Sequence, residues 1–74
     1  MRMPREECAR KVALLQEVQA AMGALMAIHN DEVAALLTED FDRITELRTK
    51  LSAARAHKAS LIDLYREHVT AHGC

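Results

Sequence analysis

Aromatic side chains are nearly missing from this chain: one phenylalanine, one tyrosine and no tryptophan, 3% of its residues. Strands are enriched in aromatic and β-branched residues, whereas half of this chain is apolar and dominated by alanine and leucine, which points to helix and away from sheet. Turn-forming residues are equally scarce. Pro4 is the only proline and Gly23 and Gly73 the only glycines, so no proline- or glycine-rich linker divides the 74 residues and a single domain, 1–74, is expected.

An excess of charge of one sign is absent too. The 10 basic and 11 acidic residues are mixed along the chain and leave a net charge of −1. No electropositive face is available for a phosphate backbone, and nucleic acid is not an expected partner. The longest uncharged run, Val18 to Asn30, has 13 residues. As a helix it reaches only about 20 Å against a hydrocarbon core of about 30 Å, so no membrane span is expected. Near the amino terminus Arg2 and Arg5 are followed by Glu6 and Glu7, where an apolar signal core would begin. A secretory signal is therefore not expected, and the cytoplasm is the simplest location.

Catalytic constellations are missing as well. There is no nucleophile with a base at readable spacing, no glycine-rich phosphate loop and no acid pair on an inner helical face. A small helical enzyme of the chorismate mutase type needs several cations directed into its core. Here only Lys58 falls on the inner stripe, while Arg43, Arg48, Arg55 and Arg66 fall on outer positions. The expectation is a non-enzymatic protein.

What the sequence does have is a seven-residue apolar rhythm on two stretches of near-equal length, joined at Leu37-Thr38-Glu39. In the second stretch it runs Ile44, Leu47, Leu51, Ala54, Lys58, Leu61, Tyr65, His68, His72, stepping alternately by three and four, the spacing that holds one helical face against a partner helix. This predicts an all-α, coiled-coil-like antiparallel two-helix hairpin. Pro4 suits a first helical turn, with Glu6 and Glu7 complementing the dipole, so helix 1 is expected over about 4–37. Asn30-Asp31-Glu32 and Thr38-Glu39-Asp40 both read as an N-cap with an acidic first turn. A break at Thr38 gives two helices of matched length, so the turn is expected near 38, with helix 2 over about 39–71 and Gly73 as its stop. A kink or a third short helix at His29-Asn30-Asp31 is the alternative. Glu6 to Arg10, Glu7 to Lys11, Glu39 to Arg43 and Glu46 to Lys50 place the acid four residues before the base, the favourable order for exposed pairs.

Helix 1 carries two adjoining stripes. One is Cys8, Val12, Leu15, Met22, Met26, Val33 and Leu36, with Gln19 and His29 at its polar positions; the other is Leu14, Val18, Ala21, Leu25 and Ile28. Together they are wider than one partner helix covers. Two helices alone also bury little apolar surface for stability. Self-association is therefore expected, most simply a homodimer forming a four-helix bundle, with Leu14, Val18, Ala21, Met22, Leu25, Met26 and Ile28 as interface residues. Ala20, Gly23, Ala24 and Ala27 are small residues at helical spacing that permit close backbone approach. Lys58 on the inner stripe either lays its stem across apolar neighbours or fixes register. Phe41 and Tyr65, at or beside that stripe, are expected to pack.

The carboxyl end holds the one cluster with metal-ligand chemistry. His68 and His72 are four apart on one helical face, Cys74 follows, and a hairpin turning near 38 brings Cys8 to the same end. Borderline-soft zinc accepts imidazole and thiolate, so a Cys8, His68, His72, Cys74 site would staple the open end. The same two cysteines could instead form a disulfide within or between chains, or remain reduced. Zinc binding or thiol-redox response is thus the alternative to a purely apolar interaction module.

Residues 32–51, EVAALLTEDFDRITELRTKL, are similar to the hairpin segment of flagellar export chaperones: an acidic residue and an aliphatic pair, an Asp-containing turn, then a leucine-rich helix. The likeness covers about a quarter of the chain and uses a pattern common to amphipathic hairpins. It implies a class of partner, an amphipathic helix from a client protein laid against a helical face.

Overall fold

The computed structural model describes residues 5–73, with the side chains of residues 5–8 and of His72 left out of the description. Within it the chain is an all-α antiparallel hairpin. Helix α1 runs Arg5–Leu37 and helix α2 Phe41–His72, 33 and 32 residues long. The Cα trace measures 61 × 14 × 11 Å, a rod two helices wide. Helix α1 passes through His29-Asn30-Asp31 without interruption. On the inner side Ala35 is buried and Glu32 and Ile28 are half-buried, so the stripe facing α2 continues past Asn30 and packing holds the helix there.

The turn comprises Thr38, Glu39 and Asp40 and closes each helix by a different device. Glu39 has φ 54°, the left-handed conformation. Its N–H donates to Leu36 O at 3.2 Å and the Asp40 N–H to Ala35 O at 2.9 Å, the pair of bonds that ends a helix through a left-handed residue. The Thr38 hydroxyl donates backward, to Ala34 O at 3.1 Å and Ala35 O at 3.3 Å. Asp40 then caps α2, its Oδ1 accepting from the Arg43 N–H at 3.1 Å. The N-cap is therefore Asp40, not Thr38, and α2 begins at Phe41, not Glu39. The physical reason is that the threonine side chain is spent on the carbonyls of α1, while the carboxylate two residues on reaches the free amides of α2. At the other end Gly73, with φ 69°, donates its N–H to Val69 O at 2.8 Å and terminates α2.

Between the helices lies a narrow seam. Leu14, Val18, Ala21, Leu25 and Ala35 of α1 are buried, together with Leu47, Leu51 and Leu61 of α2. Ile44, Ala54, Lys58, Tyr65 and His68 complete the α2 stripe as half-buried residues. Among the described residues only Leu47 and Leu14, at 1% and 2% exposure, are essentially sealed from solvent, which measures how thin a two-helix core is. Phe41 departs from the expected packing: at the first position of α2 it is 67% exposed. The expected Glu39 to Arg43 pair is replaced, because Glu39 stands outside α2. Arg43 instead meets Glu46 at 3.1 Å and, across the seam, Asp31 at 3.8 Å.

Candidate functional site: the outer face of helix α1

One residue further along a helix rotates the side chain by about 100°. The stripe of α1 that follows its buried one is Val12, Leu15, Gln19, Met22, Met26, His29, Val33 and Leu36, again in alternating steps of three and four. Every member is exposed: Val12 53%, Leu15 41%, Met22 43%, Met26 66%, Val33 56% and Leu36 59%, with Gln19 and His29 also open to solvent. Helix α1 thus carries two coiled-coil seams at about a right angle, one filled by α2 and one bare.

The seven residues expected at an interface divide between these seams. Leu14, Val18, Ala21 and Leu25 are buried against α2, and Ile28 is half-buried on the same side. Met22 and Met26 lie on the bare seam. Apolar periodicity marks both stripes equally; α2 takes the one containing Leu14, leaving the stripe with the methionines, Gln19 and His29 outside.

Which part of α2 flanks the bare seam follows from the Asp31–Arg43 ion pair. Asp31 precedes an inner position on α1 and Arg43 an inner position on α2, so preceding positions share one side of the hairpin and following positions the other. On the side of the bare seam α2 therefore presents Arg48, Ser52 and Arg55 along its middle, with Phe41 toward the turn and Ile62 and Val69 toward the open end. The middle of that flank is polar and cationic, and α2 supplies no second apolar seam.

Two polar side chains interrupt the bare seam. His29 Nδ1 lies 3.1 Å from Glu32 Oε1, within hydrogen-bonding distance three residues along α1. Gln19 is exposed one and a half heptads away. Beside the seam, a Cβ on Gly23 would meet nothing within 4 Å beyond its chain neighbours and the backbone of its own helix turn. The close backbone approach that Ala20, Gly23, Ala24 and Ala27 permit is therefore not used by α2; all four are exposed.

Of the expected zinc ligands only His68 has a described side chain. It is half-buried on the inner stripe and, with Arg10, Leu14, Leu64, Glu67 and Ala71, lines a surface groove at the open end of the hairpin. The side chains of Cys8 and His72, and the whole of Cys74, lie outside the described residues. Among the described residues no three His, Cys, Asp or Glu side chains form a metal-binding group.

Counting uncharged residues alone understated the apolar character of α1. Over Ala9–Leu37 the helix is long and apolar enough, by length and composition, to cross a bilayer, and most of that stretch is not buried within the hairpin. That stretch owes its hydropathy to two stripes pointing in different directions, one of which packs on α2. Comparison with protein-family models, with curated proteins and with solved structures finds no match to this chain.

Proposed function

We propose that this protein is a non-enzymatic helical interaction module that self-associates through the outer face of α1. The observation behind this reading is the bare seam itself: six large apolar side chains at strict heptad spacing, each between 41% and 66% exposed. Monomeric proteins rarely leave a contiguous apolar patch of this kind uncovered. A hairpin whose described core is this thin gains most from a second layer of burial. A dimer built on α1 assembles four helices with the two α1 helices as its spine and each α2 on the outside, as its polar flank requires.

An amphipathic helix of a client protein would fit the same seam, and in that case the dimer is the resting form that the client displaces. Self-association is the first reading because a second copy needs no further assumption about what is present.

The test is solution molar mass by size-exclusion chromatography with light scattering, in detergent-free buffer with reductant and chelator. A dimer of the 8.3 kDa chain is expected. Met26→Asp, at a 66% exposed position, should yield a helical monomer. Leu14→Asp, at a 2% exposed position, should abolish helicity as well. A monodisperse wild-type monomer, or material soluble only in detergent, would overturn the proposal.

A further inference from the structure

We infer that the client helix this face accepts is acidic along one edge, its apolar stripe seated on the bare seam of α1 and its carboxylates meeting Arg48, Arg55 and Arg66 of α2. This rests on the reading of the outer face as an interaction surface and names the chemistry of the partner that displaces the second copy. The observation behind it is a segregation of charge between the two sides of the hairpin. On the side of the bare seam α2 places Arg48, Arg55 and Arg66, each one residue after an inner position and each exposed. Among the described residues no carboxylate stands with them. Glu17, Asp31, Glu46 and Glu67 all precede inner positions and so lie on the opposite side. Glu32 is on the inner stripe, and Glu39 and Asp40 are in the turn. Asp42 and Asp63, each two residues from an inner position, occupy the outer back of α2. The far flank of the bare seam, Gln16, Gly23, Asn30 and Leu37, is uncharged. In a chain with 11 acidic and 10 basic residues, a side that carries cations alone is set apart from its surroundings.

These cations are also unpartnered. On the opposite side Arg10 meets Glu17 at 3.9 Å, and Arg43 meets Glu46 at 3.1 Å and Asp31 at 3.8 Å. Arg48, Arg55 and Arg66 make no ion pair or hydrogen bond among the described residues. A second copy does not supply the missing charge. Docked antiparallel on the same seam it brings the arginines of the two α2 helices face to face; docked parallel it turns toward them the uncharged far flank of its own α1. Self-association covers the apolar stripe and leaves the cations to a different occupant. The stripe identifies that occupant as a helix. From Val12 to Leu36, roughly 36 Å, it repeats in steps of three and four, the pattern that interlocks with the side chains of a second helix, and Gln19 and His29 within it are costly in hydrocarbon. Arg48 and Arg55 stand one heptad apart, about 10 Å, so carboxylates at heptad spacing along one edge of the client match them as flanking charges do in paired helices.

The experiment is fluorescence anisotropy with synthetic amphipathic peptides of about 28 residues, roughly 42 Å as helices. All share one heptad stripe of leucine and alanine; the positions flanking it are glutamate in one peptide, glutamine in a second and lysine in a third. The full chain, in reductant and at one fixed concentration, should bind the glutamate peptide at least about 10-fold more tightly than the lysine peptide, with the glutamine peptide between them. Arg48→Glu with Arg55→Glu, at two exposed sites and with helicity and mass matched to wild type, should reverse that order. Equal affinity for the three peptides, or an order unmoved by the charge reversal, overturns the acidic partner and leaves the apolar surface standing. A stable dimer that binds none of the peptides overturns the inference and leaves self-association intact. A monomeric wild type that binds the glutamate peptide overturns self-association and supports the inference. Binding to vesicles of equal parts phosphatidylserine and phosphatidylcholine, in place of the peptides, assigns the cations to a lipid surface and overturns the helix as occupant.

Discussion

Glu39 is the one described non-glycine residue with a positive φ, 54°, and replacing it by glycine should stabilise the hairpin. A left-handed conformation costs an L-residue roughly 1–2 kcal/mol because Cβ crowds the following carbonyl. Glycine avoids that cost but loses roughly 0.5–1 kcal/mol more backbone entropy on folding. The difference leaves Glu39→Gly more stable by about 0.5–1 kcal/mol, or about 3–6 °C in Tm for a domain of this size. No opposing loss of packing is expected, since Glu39 is exposed and the hydrogen bonds closing the turn use its backbone, not its carboxylate.

The carboxylate must still be separated from the backbone. Glu39 lies beyond the carbonyl end of α1, where negative charge is unfavourable, and just before the amide end of α2, where it is favourable. These largely offset each other. Glu39→Ala keeps the strained φ and removes the charge, so it should melt close to wild type, with Glu39→Gly above both. Thermal unfolding by circular dichroism, all three proteins at one chain concentration so that association does not distort the comparison, reads the order directly. If glycine is no more stable than alanine, residue 39 is not left-handed and the turn closes in another way.

Two further outcomes follow from the turn and from the open end. Asp40→Ala should cost about 1 kcal/mol and Asp40→Asn only a few tenths, because asparagine also accepts from the Arg43 amide; in urea, equal losses for both would show that the side chain does not cap α2. Zinc and chelator should each leave the melting curve of the wild-type protein unchanged, since the stabilising surface proposed is apolar. A rise in Tm with zinc that vanishes in Cys8→Ala or His72→Ala would restore the alternative of a metal staple at the open end.

The α2 stripe was legible from Ile44 to His68 because it is the only apolar stripe on that helix, and a helix with one stripe has one way to face a partner. The turn was harder. Thr38 and Asp40 are both good N-caps, and sequence spacing does not say which will be consumed by the helix before it; the Thr38 hydroxyl bonds to Ala34 and Ala35 decide that. Phe41 misled for a related reason, since an aromatic near an apolar stripe reads as core until the start of α2 is known.

The choice between the two stripes of α1 was the least legible point and bears most on function. Leu14, Val18, Ala21 and Leu25 hold two leucines and two smaller residues, while Val12, Leu15, Met22 and Met26 are at least as apolar, so hydrophobicity alone does not rank them. What differs is tolerance of polar residues. Gln19 and His29 would be buried in a two-helix seam without partners on α2, at a cost that the stripe through Leu14 avoids because its own off-pattern residue, Glu32, sits near the turn end and meets His29. A stripe that carries two polar layers costs less where water can reach them, and the outer face of α1 is where Gln19 and His29 remain exposed.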